Sequence, residues 1–235
     1  SDVCSSDLAD VEVKEARERV RSALQNAGLE FPHNKRITVN LAPADLPKDS
    51  GRFDLPIALA LLVALELLPP DCLDGTLWLG ELGLDGSIRR VSGGMPVALW
   101  AQQQGPSKLV LPVDSASETA AVRGLTVYAA SSLLQVVEWL QGGPSLPTVE
   151  QRALSPSLLD VGCDLSDVRG NEQPKRALAI AAAGGHNLLM LGPPGTGKSM
   201  LARRLVSILP PMTETEALAS TAVYSAAGLL GGKPL

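Results

Sequence analysis

With 235 residues the chain has room for one or two domains that each bury a core, so a small stapled module is excluded. Apolar residues at 45% against 19% charged exclude disorder, and aromatics at 3% argue against a base-stacking surface for single-stranded nucleic acid. The net charge is −5, with 13 basic and 19 acidic groups over residues 1–157 and 7 against 6 over 158–235, so neither half is a polycation and any nucleic-acid contact needs a local patch.

The first predicted element is an amphipathic helix, in which Val13, Ala16, Val20, Leu24 and Ala27 recur at three to four residues, Glu15 lies four before Arg19 and Gly28 supplies the stop. Ile37, Val39 and Leu41 alternate with Thr38 and Asn40 as a half-buried strand. Asp54 is the expected N-cap of an apolar core helix running to about Leu68. That run, Leu55 to Leu68, contains Pro56 and Glu66 and is too short for a membrane span. Thr76 to Leu82 reads as a strand, and Asp85-Gly86 as the turn of a hairpin returning through Ile88 to Val91.

Helix and strand then alternate. Pro96 to Gln104 is helical and Lys108 to Val113 extended; a short helix is opened by a Ser115/Glu118 capping box; Leu125 to Ala130 is extended and Leu133 to Gln141 helical. Residues 142–157 carry Pro144, Pro147 and Pro156 with little periodicity, the composition of a linker between a domain at 8–141 and a second at 158–235. The second opens with a helix from about Asn171 to Ala183 and an apolar strand Asn187 to Leu191. After a glycine-rich turn come a helix from Lys198 to about Leu209 and another begun by Thr213 and Glu216. The fold class is therefore α/β.

Cys4, Cys72 and Cys163 stand far apart without a C-x-x-C pair, the pattern of inert thiols in a reduced, cytoplasmic protein. His33 and His186 have no Cys, His or acidic partner at metal spacing and read as structural. The opening Ser1 and the stop at Gly-Gly-Lys-Pro-Leu, directly after an apolar helix pattern, suggest a piece of a longer chain.

One motif carries chemistry. Gly192-Pro193-Pro194-Gly195-Thr196-Gly197-Lys198-Ser199 fits G-x-x-x-x-G-K-[ST] between a predicted strand and a predicted helix. Glycine at 192, 195 and 197 frees the backbone to turn its N–H groups onto phosphate oxygens. Lys198 can reach the β- and γ-phosphates of ATP, and the Ser199 hydroxyl can ligate the accompanying Mg²⁺. Hydrolysis also needs an acid at the end of a following strand, yet no aspartate follows Lys198 and Glu214 and Glu216 sit at a helix start. This chain is expected to bind nucleotide without turning it over. Arg203 and Arg204 read as a solvated helix face, with a subunit interface or DNA contact as the alternative.

Residues 167–199, from Asp-Val-Arg-Gly-Asn-Glu-Gln-Pro-Lys-Arg through the phosphate-loop motif, resemble the start of the magnesium-chelatase-like AAA+ ATPase module of the ComM/YifB family. Val13-Lys14-Glu15-Ala16-Arg17-Glu18-Arg19-Val20 and Asn40-Leu41-Ala42-Pro43-Ala44-Asp45-Leu46-Pro47-Lys48 resemble the same family, whereas Ser1 to Asp7 do not and read as extraneous. The resemblance implies a first domain similar to the proteolytic domain of Lon protease, of ribosomal-S5-like α+β fold, followed by a truncated P-loop domain. In Lon-type enzymes a Ser–Lys dyad does the chemistry. Here the serine position falls at Phe53 or Asp54 and the lysine position at Pro96, while Ser50 and Ser92 have no matching lysine, so peptidase activity is not expected. The family pattern also implies Val168 and Gly170 as backbone contacts to adenine, a homo-oligomeric, hexameric ring for the full-length protein, no membrane partner, and a motor acting on DNA in transformation or recombination. The alternative is an ATPase that remodels a protein or metal-insertion partner.

Overall fold

The computed structural model describes residues 7–32, 37–39, 51–152 and 164–230. Helices and a parallel sheet make the protein mixed α/β, as the element pattern predicts. Its contacts divide it into two compact units, one within residues 1–154 and 218–235, the other within 155–217.

In the first unit α1 (Asp7–Asn26) buries Val20, Ala23 and Leu24, the face its periodicity marks out. Against them lies α2 (Asp54–Ala64), whose Leu55, Ala58, Leu59 and Leu62 are fully buried. Asp54 does not cap this helix. Phe53 holds the cap position, and the Asp54 carboxylate is buried, accepting from Arg19 Nε at 2.6 Å and from the Leu82 N–H at 3.2 Å. Nor does α2 reach Leu68: Glu66 turns into the left-handed region at φ +60° and Pro69 and Pro70 follow, so the chain leaves the helical path. Of the strand expected at 37–41, Ile37 and Val39 form no strand and are exposed, while Leu41 lies outside the described residues.

The expected strand from Thr76 to Leu82 is two. β1 (Thr76–Trp78) joins the parallel sheet, and β2 (Glu81–Leu82) pairs antiparallel with β3 (Ile88–Arg89) in the hairpin that Asp85-Gly86 announces. The break falls at Gly80, where a Cβ would stand 2.6 Å from Ile88 Cγ2, so only glycine lets the two segments pass. After α3 (Gly94–Gln104) comes β4 (Lys108–Pro112), fully buried from Leu109 to Leu111. The chain then forms α4 (Val113–Ala116), β5 (Thr126–Ala130) and α5 (Leu133–Leu140), the last capped by Ser132 Oγ. Strand order is β1-β4-β5, all parallel, with Leu77 opposite Leu109 and Leu109 opposite Val127.

Ser115 and Glu118 do not form the expected capping box. α4 starts after Pro112, and both side chains are buried: Ser115 Oγ accepts from the Val91 N–H and donates to its carbonyl, and Glu118 takes Arg90 Nη2 at 2.7 Å. The stretch read as linker also begins inside this unit. Ala129 N–H donates to the Pro147 carbonyl and Val149 N–H to that of Val127, so residues 147–149 lie antiparallel beside β5 with Leu146 buried. A proline-spaced edge segment can join a sheet when its prolines fall where no N–H is required.

The second unit contains α6 (Glu172–Gly184) and α7 (Lys198–Arg204), the latter continued by a 3-10 turn through Ile208. Val168, Leu178 and Leu201 form its core. Asn187–Leu191 is not a strand among the described residues, because no other segment offers it a ladder; Leu189 and Leu191 are 80% and 85% exposed. The final helix, α8 (Glu214–Ala226), is opened as expected by Thr213 and Glu216, whose carboxylate accepts the Thr213 N–H at 2.8 Å. From Leu218 onward it belongs to the first unit.

Candidate functional site

The phosphate-loop motif spans the turn from residue 192 into α7, exposed at 192–196 and Ser199 and half-buried at Gly197 and Lys198. Gly195 and Gly197 both take φ +83°, a region closed to most side chains, so the motif's glycines do what the pattern requires at these two positions. Gly192 is different. It is not left-handed; a Cβ there would come within 3.3 Å of Thr196 Oγ1, so its role is close approach rather than conformational freedom. Thr196 Oγ1 donates to the Pro193 carbonyl at 3.0 Å and closes the loop on itself.

Lys198 opens α7, and its ammonium folds back over the loop. It donates to the carbonyls of Gly192 and Pro193, each at 2.7 Å, and to Thr196 Oγ1 at 3.3 Å. All three acceptors are neutral, and among the described residues no carboxylate forms an ion pair with it. A half-buried cation surrounded by dipoles but lacking a counter-charge fits an anionic ligand such as the phosphates of ATP. Ser199 is exposed in the first turn of α7, where its hydroxyl could ligate a metal ion accompanying such a ligand.

Two further pieces frame the loop. Asn171, in the left-handed region at φ +56°, precedes α6 and brings its Nδ2 to 3.9 Å from where a Cβ of Gly197 would stand. Val168 and Gly170, implied as adenine contacts, lead into it. The Val168 side chain is buried in the unit's core and its N–H donates to the Leu165 carbonyl, while Gly170 is exposed at φ +69°. On the far end of α7, Arg204 is no solvated face. Its Nε donates to the Asp164 carbonyl at 2.9 Å and its Nη2 lies 3.9 Å from Asp167 Oδ2, fastening α7 to the 164–168 segment.

That segment is a capping box: Asp164 accepts from the Ser166 N–H at 2.7 Å and its own N–H donates to Asp167 Oδ2 at 3.0 Å. The Ser166 bonds first, and Arg204 more weakly, hold the Asp164 carboxyl below its ordinary range. The Asp164/Asp167 spacing carries this signal in the sequence, yet its partner in α7, 40 residues on, is not visible there.

The peptidase-type positions are also brought together. Arg52 Nη1 lies 3.8 Å from where a Cβ of Gly93 would stand, so the 51–54 and 92–96 stretches are neighbours. Asp54 is consumed by Arg19 and Leu82, Phe53 is half-buried, and Pro96 sits in the first turn of α3. Ser50 and His33 lie outside the described residues, as do Cys4 and Cys163, while the His186 imidazole packs against Gly184. Among the described residues no group of three or more His, Cys, Asp or Glu could hold a metal, and no helix is long and apolar enough to cross a membrane.

Residues 5–115 match the family described as subunit ChlI of Mg-chelatase, and residues 164–234 match magnesium chelatase, subunit ChlI. The chain is 47% identical over 221 residues to competence protein ComM of Haemophilus influenzae, covering 93% of this chain and 43% of that protein. It is 48% identical over 219 residues to the uncharacterized protein YifB of Salmonella typhimurium (93% and 42%), and 40% identical over 225 residues to the uncharacterized protein Rv2897c of Mycobacterium tuberculosis (96% and 44%). The chain thus spans less than half the length of these relatives.

Proposed function

The chain belongs to the magnesium-chelatase ChlI-related proteins of ComM/YifB type, and from that premise we propose that its second unit binds Mg²⁺–ATP as the phosphate-gripping part of an AAA+ ATPase. The observation that carries the reading is Lys198, a cation ringed by neutral acceptors at the mouth of a loop whose Gly195 and Gly197 are left-handed. In this reading the loop N–H groups from Gly195 to Ser199 and the Lys198 ammonium would hold the nucleotide's phosphates, and Ser199 would offer its hydroxyl to the accompanying metal. The bound nucleotide supplies the phosphoryl group; the residues present position it and neutralise its charge.

Titration calorimetry with Mg²⁺–ATP tests this. Charge-assisted contacts are worth ~1.5–3 kcal/mol, so Lys198→Ala should weaken binding by ~10- to 100-fold. Equal affinity of the two chains would remove the assignment. We further propose that the chain itself hydrolyses no ATP above background, because Glu216 is committed to the Thr213 cap and no aspartate follows Lys198. A phosphate-release assay with Lys198→Ala as control checks it.

For the whole protein the proposed role is a ring-forming, DNA-directed motor with a peptidase-inactive first domain. Support comes from the family resemblance and from a 47% identical relative that bears the name of a competence protein. The chelatase family description favours a second reading, remodelling of a protein or metal-insertion partner. ATPase activity of a full-length protein that rises with added DNA supports the first; indifference to DNA supports the second.

A further inference from the structure

Within the first unit the buried groups unused by any of this chemistry converge on one serine. Ser225 of α8 is 1% exposed; its hydroxyl donates to Glu118 Oε2 at 2.8 Å and accepts the Met95 N–H at 3.2 Å, and its carbonyl accepts the Gly93 N–H at 3.0 Å. Glu118 is equally buried, and Arg90 holds its other oxygen at 2.7 Å. The seat is thus the first turn of α3, whose free amides need acceptors, together with a carboxylate placed where that helix end favours negative charge. Gly228 completes the fit, since a Cβ there would stand 3.1 Å from Ser92 Oγ.

Apolar burial at this seat is thin compared with the rest of the unit. The buried residues of this stretch are Thr221, Ser225 and Leu230, with Leu218 and Ala222 only partly buried against the core. Three of its larger side chains point away: Val223 is 67% exposed, Leu229 69% and Tyr224 46%. By contrast Leu109, Val110 and Leu111 of β4, which hold the same unit together, are wholly buried. Hydrogen bonds exchanged with water contribute little net stability, so a segment held by them opens at far lower cost than a leucine core.

We propose that residues 218–230 form a detachable latch, seated on α3 and Glu118 through Ser225, which opens while the rest of the first unit stays folded. Opening exposes the Glu118 oxygen that Ser225 holds and the Gly93 and Met95 amides. The proposal is independent of the nucleotide reading.

Hydrogen exchange on the intact chain tests it. The amides of Gly93 and Met95 should be less protected than those of Leu109–Leu111, and Ser225→Ala should lower protection at Gly93 and Met95 by about tenfold or more without moving the β4 amides. Gly228→Ala, which presses a methyl on Ser92 in a left-handed position, should act in the same direction, whereas Val223→Ala on the outward face should leave protection at the seat undiminished. Equal protection of seat and β4 in the unaltered chain, loss at both together in Ser225→Ala, or no change at either would each overturn the latch.

Discussion

The two units solve the same problem with unequal means. In the first, α1, α2 and the parallel sheet bury a leucine-rich core, and its buried polar groups Asp54, Ser115 and Glu118 all have partners. The second buries Val168, Leu178 and Leu201 and leaves Leu188, Leu189, Leu191, Leu209 and Met212 in solvent. The larger core lies in the first unit, and the second carries the open 192–199 loop with its left-handed Gly195 and Gly197. A loop at the weakly packed end of a molecule can rearrange at small cost, as the proposed nucleotide site requires.

The contrast breaks most visibly with core truncation. Leu59→Ala should cost ~2–5 kcal/mol and lower the main thermal transition by several degrees, whereas Leu178→Ala should leave that transition in place. Calorimetric scans of both variants decide the matter; a common shift would show that the units melt as one. Asp54→Ala comes next. It strands Arg19, but because Arg19 is one-fifth exposed and can reach water, the loss should be about 2 kcal/mol, short of the ~3–5 kcal/mol of a fully enclosed pair. Urea unfolding measures it, and a neutral result would mean that the pair only orients α1 on α2. Lys198→Ala sharpens the comparison from the other side. Its contacts are to loop carbonyls, so stability should stay within ~0.5 kcal/mol while nucleotide affinity falls.

Local turns and caps were legible in the sequence. The left-handed glycines of the 192–199 turn, the hairpin at Asp85-Gly86, the Thr213/Glu216 cap and the face of α1 each depend on residues within a few positions of one another, so spacing alone predicts them. Misreadings share a different cause. Asp54, Ser115 and Glu118 all have the residue type and position of a helix cap, but each found a partner 24 to 107 residues away that burial made more valuable than capping. Asn187–Leu191 has the composition of a core strand, yet composition supplies no neighbouring strand. Arg204 reads as surface until the capping box at Asp164 is placed beside it.

The smallest expected effect concerns that box. Asp164 titrates below its ordinary value near 3.8 because the Ser166 backbone and hydroxyl bond the charged form, with Arg204 adding attraction. A carboxyl whose value is lowered by folding stabilises the folded state at pH values above the unfolded one, and the benefit fades as pH falls through the folded value. The Asp164 contribution is therefore complete near neutrality and lost in acid below about pH 4. Because the group is fully exposed, the consequence is local: the 164–168 segment loosens from Arg204 while the first unit keeps its fold. Carboxyl-carbon NMR should place the Asp164 midpoint below that of an unperturbed aspartate, and Ser166→Ala should move it upward. The backbone N–H of Ser166 remains in that variant, so the return should be partial. A midpoint at or above the ordinary value in the unaltered chain would mean that the box is open in solution, and that α7 is not fastened to the 164–168 segment through Arg204.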